Sequence, residues 1–318
     1  MPSSSGERLT SSGQPVLSLG EYFAYLGLSP TKIHDGICEI CSHTSFTTLR
    51  DSAGVGNRLR VGLSVVCCDR CGHLYQNPRF DPEFYNSYYK AFYRNVLTGS
   101  LSPTADFIED QLARGEHLYS NLRPYLPETG RLLDVGCSAG GVMQAFLKRG
   151  WTGGGTDPDQ GYVDFGRREL KAPITVERAE DMVLEQGIHD LVLITGSLEH
   201  VYDPNKVLAL CHRACADGAL LLIEGRGLGQ SRQVGSCGHN HRRFLTANSI
   251  ELFMLKHGWD PLLITDQELS GPTRPHSIFG IGRIGFPLSP DDLAGRIAEG
   301  ACDWAGRHKA DLATWKIE

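Results

Sequence analysis

The chain has 318 residues, is 41% hydrophobic, and carries 31 basic against 37 acidic side chains, a net charge of −6. That length holds one full α/β domain plus a smaller module, and the acidic balance supplies no general field to attract nucleic acid, leaving only a local patch for that purpose. No apolar run approaches the ~18 residues of a membrane span. The polar start MPSSSGERLTSSGQP also lacks a signal peptide's apolar core, so a cytoplasmic protein is expected.

Residues 1–15 read as a disordered Ser/Gly-rich tail, and a small module spans 16–80. It opens with a weakly amphipathic piece, LGEYFAYLGL, and holds Cys38-Glu-Ile-Cys41 and Cys68-Asp-Arg-Cys71-Gly72. Ten cysteines are many for a reducing compartment unless some bind metal. Two C-x-x-C knuckles can set four thiolates tetrahedrally around one zinc ion, and four protein ligands leave no open position, so such a zinc is structural. Cys67 competes with Cys68 as a ligand, but the spacing requires Cys68. Redox dithiols are the other reading of these residues. Between the knuckles, SFTTLR and LRVGLSVVCC alternate around DSAGVGN, which predicts a small β-ribbon.

Residues 81–126 are read as an aromatic segment and a helix. Tyr75, Phe80, Phe84, Tyr85, Tyr88, Tyr89, Phe92 and Tyr93 crowd this part of the sequence. Two roles are open, packing the ribbon on the main domain and covering a ligand mouth as a lid. The spacing of Phe107, Ile108, Leu112, Leu118 and Leu122 then predicts a helix from Thr104 to Leu126, stopped by Pro124 and Pro127.

The main domain is placed at 127–288. Arg131–Trp151, RLLDVGCSAGGVMQAFLKRGW, reads as a buried strand, a glycine turn and a helix closed at Gly150. The turn's backbone can approach a ligand closely, and the helix start offers free N–H donors. Its spacing, G-x-S-x-G-G, is not that of a dinucleotide fingerprint, and Asp134 lies before the first glycine. A carboxylate repels a pyrophosphate but favours an ammonium group, which moves the reading toward S-adenosylmethionine. An ordinary strand–helix turn without ligand is the bland alternative.

A second strand runs into GGGTDPD, where Asp157 is placed to accept from ribose hydroxyls or, alternatively, to cap the next helix. Ile174–Val176 is read as strand three, with Ala179 and Glu180 at the corner after it. His189–Ile194 is strand four, and Thr195-Gly-Ser-Leu-Glu199-His200-Val-Tyr-Asp-Pro204 is the loop at its carboxyl end, where ligands of open parallel sheets bind. Glu199-His200 is the best acid/base candidate there, with His200 as base; orienting the loop is the other role open to the pair. Ala219–Ile223 is strand five, ending in Glu224-Gly-Arg226. The glycine-rich loop 227–241 carries Cys237, His239 and His241, which suits a substrate-facing loop better than a second metal site lacking a fourth ligand. A helix over 249–257, strands near 260–266 and 277–284 forming an antiparallel edge, and helical residues 289–318 complete the chain.

These residues together resemble the class I S-adenosylmethionine (SAM)-dependent methyltransferases. LLDVGCSAGG is similar to their glycine motif, GGTDPD to the ribose-acid motif, SLEHVYDP to the motif after strand four, and HRRFLTANSIELFMLKHGW to the segment before the last hairpin. The paired knuckles followed by HLYQNPR resemble the zinc ribbon ahead of this domain in a subgroup that includes sugar C-methyltransferases and natural-product enzymes. The resemblance implies a Rossmann-like, doubly wound, mostly parallel sheet with an antiparallel edge hairpin, preceded by a β zinc ribbon. It implies SAM and a structural zinc ion as cofactors. Asp134, Gly136, Ser138 and Gly140 would surround the methionine part, Asp157 the ribose, Ala179 and Glu180 the adenine, and Thr195 and Gly196 the sulfonium side. His200 and Glu199, then His241 and His239, are the implied or candidate acceptor-side groups for methylation of O or C on a small molecule. Ser138 stands where glycine is more usual in the family. The sugar enzymes also have a further α/β domain after the point where this sequence ends. Rival readings are an NAD-dependent Rossmann oxidoreductase, a nucleic-acid methyltransferase gripping RNA through the ribbon, and a binding module on a degenerate fold. No nucleic-acid or membrane partner is expected, and the oligomeric state is open.

Overall fold

A computed structural model describes residues 14–55, 59–91, 102–226, 238–275 and 277–314. Most of the predicted N-terminal tail, Phe92, Tyr93, Cys237 and the loop 227–237 lie outside these residues.

The main sheet has seven strands: β1 (Arg131–Val135), β2 (Thr152–Asp157), β3 (Ile174–Val176), β4 (His189–Thr195), β5 (Cys215–Gly225), β6 (Trp259–Thr265) and β7 (Ile278–Ile284). Their order is β3-β2-β1-β4-β5-β7-β6. The first five are parallel and the last two antiparallel, as expected from the sequence. Leu132, Leu133 and Val135 of β1, and Leu191–Ile194 of β4, are buried, which is why these central strands read as nearly continuous apolar runs. Strand order reverses between β1 and β4, so a crevice opens at their carboxyl ends. The helix Ala105–Leu122 crosses this edge, starting at Thr104, whose side chain accepts from the Phe107 N–H.

The helix expected after the glycine turn is shorter than its apolar spacing suggests. Regular α-helix covers only Gln144–Leu147, and Gly150 ends the segment at φ +85°. The expected C-terminal helix is two, Pro290–Glu299 and Trp304–Thr314, separated at Gly300.

The ribbon is not a separable module. Its four-stranded sheet has the order Arg243–Phe244, Leu74–Asn77, Ser64–Cys68, Phe46–Arg50, so its first strand comes from beyond β5. Trp304 covers the turn at Gly72, where an added Cβ would lie 2.4 Å from the indole. The helix Leu19–Leu26 buries Tyr22, Phe23 and Leu26 against Phe80, Phe84, Tyr85 and Tyr88. At ~1.5–3 kcal/mol for each large apolar side chain removed from water, this aromatic cluster strongly favours docking of the ribbon.

Candidate active site

A cavity of about 740 Å³ opens at the carboxyl edge of β1, β2, β4 and β5. Gly136, Ser138, Asp157, Ala179, Glu180, Thr195, Gly196 and His200 line it, together with Gln111 and Arg114 from the crossing helix. The glycine turn is tightly specified. Gly136, Ser138 and Gly140 all have positive φ, at 75°, 56° and 76°, a region in which residues other than glycine are strained. A Cβ on Gly136 would lie 2.4 Å from that of Ser197. Ser197 in turn donates from Oγ to the Val135 carbonyl at 2.6 Å, holding the loop after β4 against the end of β1. The Ser138 N–H donates to Asp157 Oδ2 at 2.8 Å, and the Asp159 N–H to Asp157 Oδ1 at 2.9 Å. Asp157 thus fixes the turn from β2.

Two of the glycine-turn candidates lie off the cavity wall. Gly140 serves the turn itself, packed where an added Cβ would meet Ala172 at 2.9 Å. Asp134 is fully buried behind the turn, and neither carboxylate oxygen has a hydrogen-bond partner. Burial pushes its pKa up to about 7, against the pull of Arg114.

In the loop after β4, His200 Nδ1 lies 2.8 Å from the Tyr89 hydroxyl and 3.3 Å from the Asn240 carbonyl. A carbonyl only accepts, so the tautomer that satisfies it carries its proton on Nδ1 and leaves a lone pair on Nε2. The His241 ring packs on His200 with centroids 4.7 Å apart. Burial, then the neighbouring His241 and Arg226, hold His200 well below its usual pKa; burial and Arg226 lower His241 to about 3. Both rings are therefore neutral at pH 7.

Glu199 sits differently from its neighbour. It is buried, one oxygen accepts from the Arg226 backbone N–H, and the other has no partner. Burial raises its pKa. It fixes the loop from below and is absent from the cavity lining. His239 is the clearest departure from the sequence reading. Its Nδ1 is 2.9 Å from the Gly54 carbonyl and its ring meets Tyr22 and Tyr88 edge-on, away from the cavity. The backbone turns between them, the His241 N–H donating to the Gly238 carbonyl at 3.0 Å, so His239 faces the ribbon while His241 packs on His200.

The aromatic segment packs the ribbon and also supplies part of the cavity wall. Phe80, Phe84 and Tyr88 pack in the ribbon core, while Tyr85 and Tyr89 reach the cavity wall. Sequence reasoning missed Arg114, Arg178, Arg226 and Arg274, which also line the cavity. The available signal was Arg226 standing just past β5, at the ligand-binding edge of the sheet.

The four knuckle thiols converge. Cys38, Cys41, Cys68 and Cys71 place their sulfurs within 4.8 Å of one another, and the Cys38–Cys71 and Cys41–Cys68 pairs are at 3.5 Å. Zinc with bonds of about 2.3 Å sets its sulfurs about 3.8 Å apart, so this donor set fits the ion. Cys67 turns instead into a cluster with Val65, Leu74, Phe244 and Trp304. Inside the first knuckle, Glu39 receives Arg243 at 2.7 and 2.8 Å and Arg79 at 2.6 Å. Arg243 also donates to the carbonyls of Leu198 and Val201, which flank Glu199-His200. The ribbon therefore reaches the acceptor loop through one buried guanidinium.

Residues 133–223 match a family model described as a methyltransferase domain. Among curated relatives, a ubiquinone biosynthesis O-methyltransferase of Pseudomonas aeruginosa is 31% identical over 99 residues, covering 29% of this chain and 43% of the relative. One of Caulobacter sp. is 30% identical over 124 residues, covering 37% and 48%. The chain thus spans less than half the length of these relatives. A solved 1,6-didemethyltoxoflavin-N1-methyltransferase of Burkholderia thailandensis, with 1,6-didemethyltoxoflavin and S-adenosylhomocysteine bound, superposes with a TM-score of 0.50 at 15% identity. That match covers 70% of this chain and 96% of the other. The chain carries a class I SAM-dependent methyltransferase domain on a Rossmann-like sheet. The residues present suit that cofactor. A buried carboxyl group with neither oxygen hydrogen-bonded stands at Asp134, and a glycine turn is held by Asp157.

Proposed function

We propose that the protein transfers a methyl group from SAM to oxygen or carbon of a small-molecule acceptor, a sugar or natural-product intermediate, with His200 as base. The observation that carries this reading is the meeting of the glycine turn, Asp157 and His200 in one cavity. Bound there, SAM supplies an activated methyl group. Asp157 lines the cavity on the side of the ribose hydroxyls, Ala179 and Glu180 border the adenine end, and Asp134 balances the ammonium through the turn. Thr195 and Gly196 lie between this end and His200. His200 Nε2 takes the acceptor's proton, with Tyr89 and Asn240 orienting the ring. His241 shields it from water, and Glu199 positions the loop without entering the cavity. The chain's work is alignment and exclusion of water. We assign the four cysteines to a structural zinc ion that holds Glu39 in place.

Calorimetry with S-adenosylhomocysteine and with NAD tests the cofactor assignment. Saturable 1:1 binding of the first is expected, and binding of NAD alone would overturn the reading.

A further inference from the structure

We propose that the acceptor carries an oxyanion, a carboxylate or phosphate, and that the Arg226 guanidinium is its anchor. The proposal rests on the methyltransferase reading and adds to it the chemical class of the acceptor.

Four arginines among the described residues line the cavity, and their surroundings differ. Arg114 is paired with Glu224 at 2.8 Å, Arg178 with Asp181 at 2.6 Å, and Arg274 with Asp110 at 3.2 Å. The Arg226 guanidinium has no acid paired with it among the described residues; its Nε is buried without a hydrogen-bond partner. The Glu199 carboxyl, which feels the Arg226 charge, bonds through one oxygen to the Arg226 backbone N–H and not to its guanidinium. A guanidinium left unsatisfied inside a cavity is costly, and a planar oxyanion meets its paired donors.

Position separates this group from the cofactor's own carboxylate. Arg226 follows β5, three strand steps from β2 and Asp157, about 14 Å at the usual strand spacing. Its Nε lies 3.2 Å from where a Cβ on Gly196 would stand, so it covers the loop after β4, on the His200 side. The glycine turn lies between, at β1. An anion on Arg226 would therefore sit beside His200 and His241. It would also offset the positive field that Arg226 exerts on both rings, making His200 a stronger base once the acceptor is bound.

The test uses the full chain saturated with S-adenosylhomocysteine and matched probes, 4-hydroxybenzoate against 4-hydroxybenzamide and phenyl phosphate against phenol. Titration calorimetry should show at least one anion binding 10- to 100-fold tighter than its neutral partner, the range of a charge-assisted pair. The better pair identifies carboxylate or phosphate as the group read. Arg226→Gln should abolish the preference and Arg226→Lys retain part of it, with S-adenosylhomocysteine affinity within threefold of the parent in both. Equal binding within each pair, no binding of either anion at 10 mM, or a preference that survives Arg226→Gln would overturn the proposal. Failure of the parent protein to bind S-adenosylhomocysteine would instead refute the methyltransferase reading.

Discussion

Glu39 and Arg243 form a bidentate ion pair, at 2.7 and 2.8 Å, between the first cysteine knuckle and the segment that follows the substrate-side loop. The Arg243 side chain is fully buried, and that of Glu39 is 7% exposed. Removing one partner of such a pair leaves a charge without compensation and costs about 3–5 kcal/mol. Glu39→Ala should therefore lower stability by that amount in urea unfolding, since Arg79 and Arg243 both lose their acceptor. A loss under 1 kcal/mol would show that the pair is not a structural brace.

The metal assignment makes a stoichiometric prediction. Protein purified without chelator should contain one zinc per chain by elemental analysis. Cys38→Ser and Cys71→Ser should lose it, whereas Cys67→Ser should keep it, because Cys67 faces an apolar cluster. Full zinc content in Cys38→Ser would contradict the ligand set.

Asp134 gives cofactor affinity a pH dependence whose sign is fixed. Its folded pKa is raised from the ordinary 3.8 to about 7. Its contribution to stability is therefore greatest below 3.8 and is lost as pH rises through about 7. An ammonium group favours the carboxylate, so affinity for S-adenosylhomocysteine should weaken on acidification from pH 8 to pH 6, by up to about tenfold. Asp134→Asn should flatten that slope. An equally steep slope in the variant would remove Asp134 from the explanation.

His200→Ala should reduce turnover about 10²- to 10⁴-fold while leaving S-adenosylhomocysteine binding unchanged. Tyr89→Phe removes one hydroxyl from Nδ1 and should cost less, on the order of tenfold. His200 is held well below its usual pKa by burial, His241 and Arg226. In the free enzyme it is neutral throughout pH 6.5–8, so kcat/KM should show no loss of the base across that window. Full activity in His200→Ala would sink the base assignment.

The central sheet was legible because its signals are local. A buried strand such as Leu132–Val135 is an apolar run, and the turn after it announces itself by Gly136, Ser138 and Gly140. Likewise the two knuckles carry their own spacing. Long-range pairings were not legible. Nothing near Glu39 in sequence marks Arg243 as its partner, and nothing in R-F at 243–244 marks a strand that completes the ribbon sheet. His239 and His241 look equivalent in sequence, yet the carbonyl of Gly54, far back in the chain, fixes one of them on the ribbon side. Arg226 was visible only as the end of a strand. Among the described residues, Arg114, Arg178 and Arg274 each pair with an acid and Arg226 does not.

The strand Arg243–Phe244 also sets an order of assembly. As the chain leaves the ribosome, the Leu74–Asn77 edge and the Glu39 carboxylate emerge long before Arg243 exists. The knuckles can gather their four sulfurs at that stage, but the sheet beside them stays open at one edge, the kind of edge that invites wrong pairing. It closes only when synthesis has passed the fifth strand of the main sheet. His241 reaches the cavity at the same stage, while the antiparallel edge strands and the helix that lays Trp304 over Gly72 are still to be synthesised.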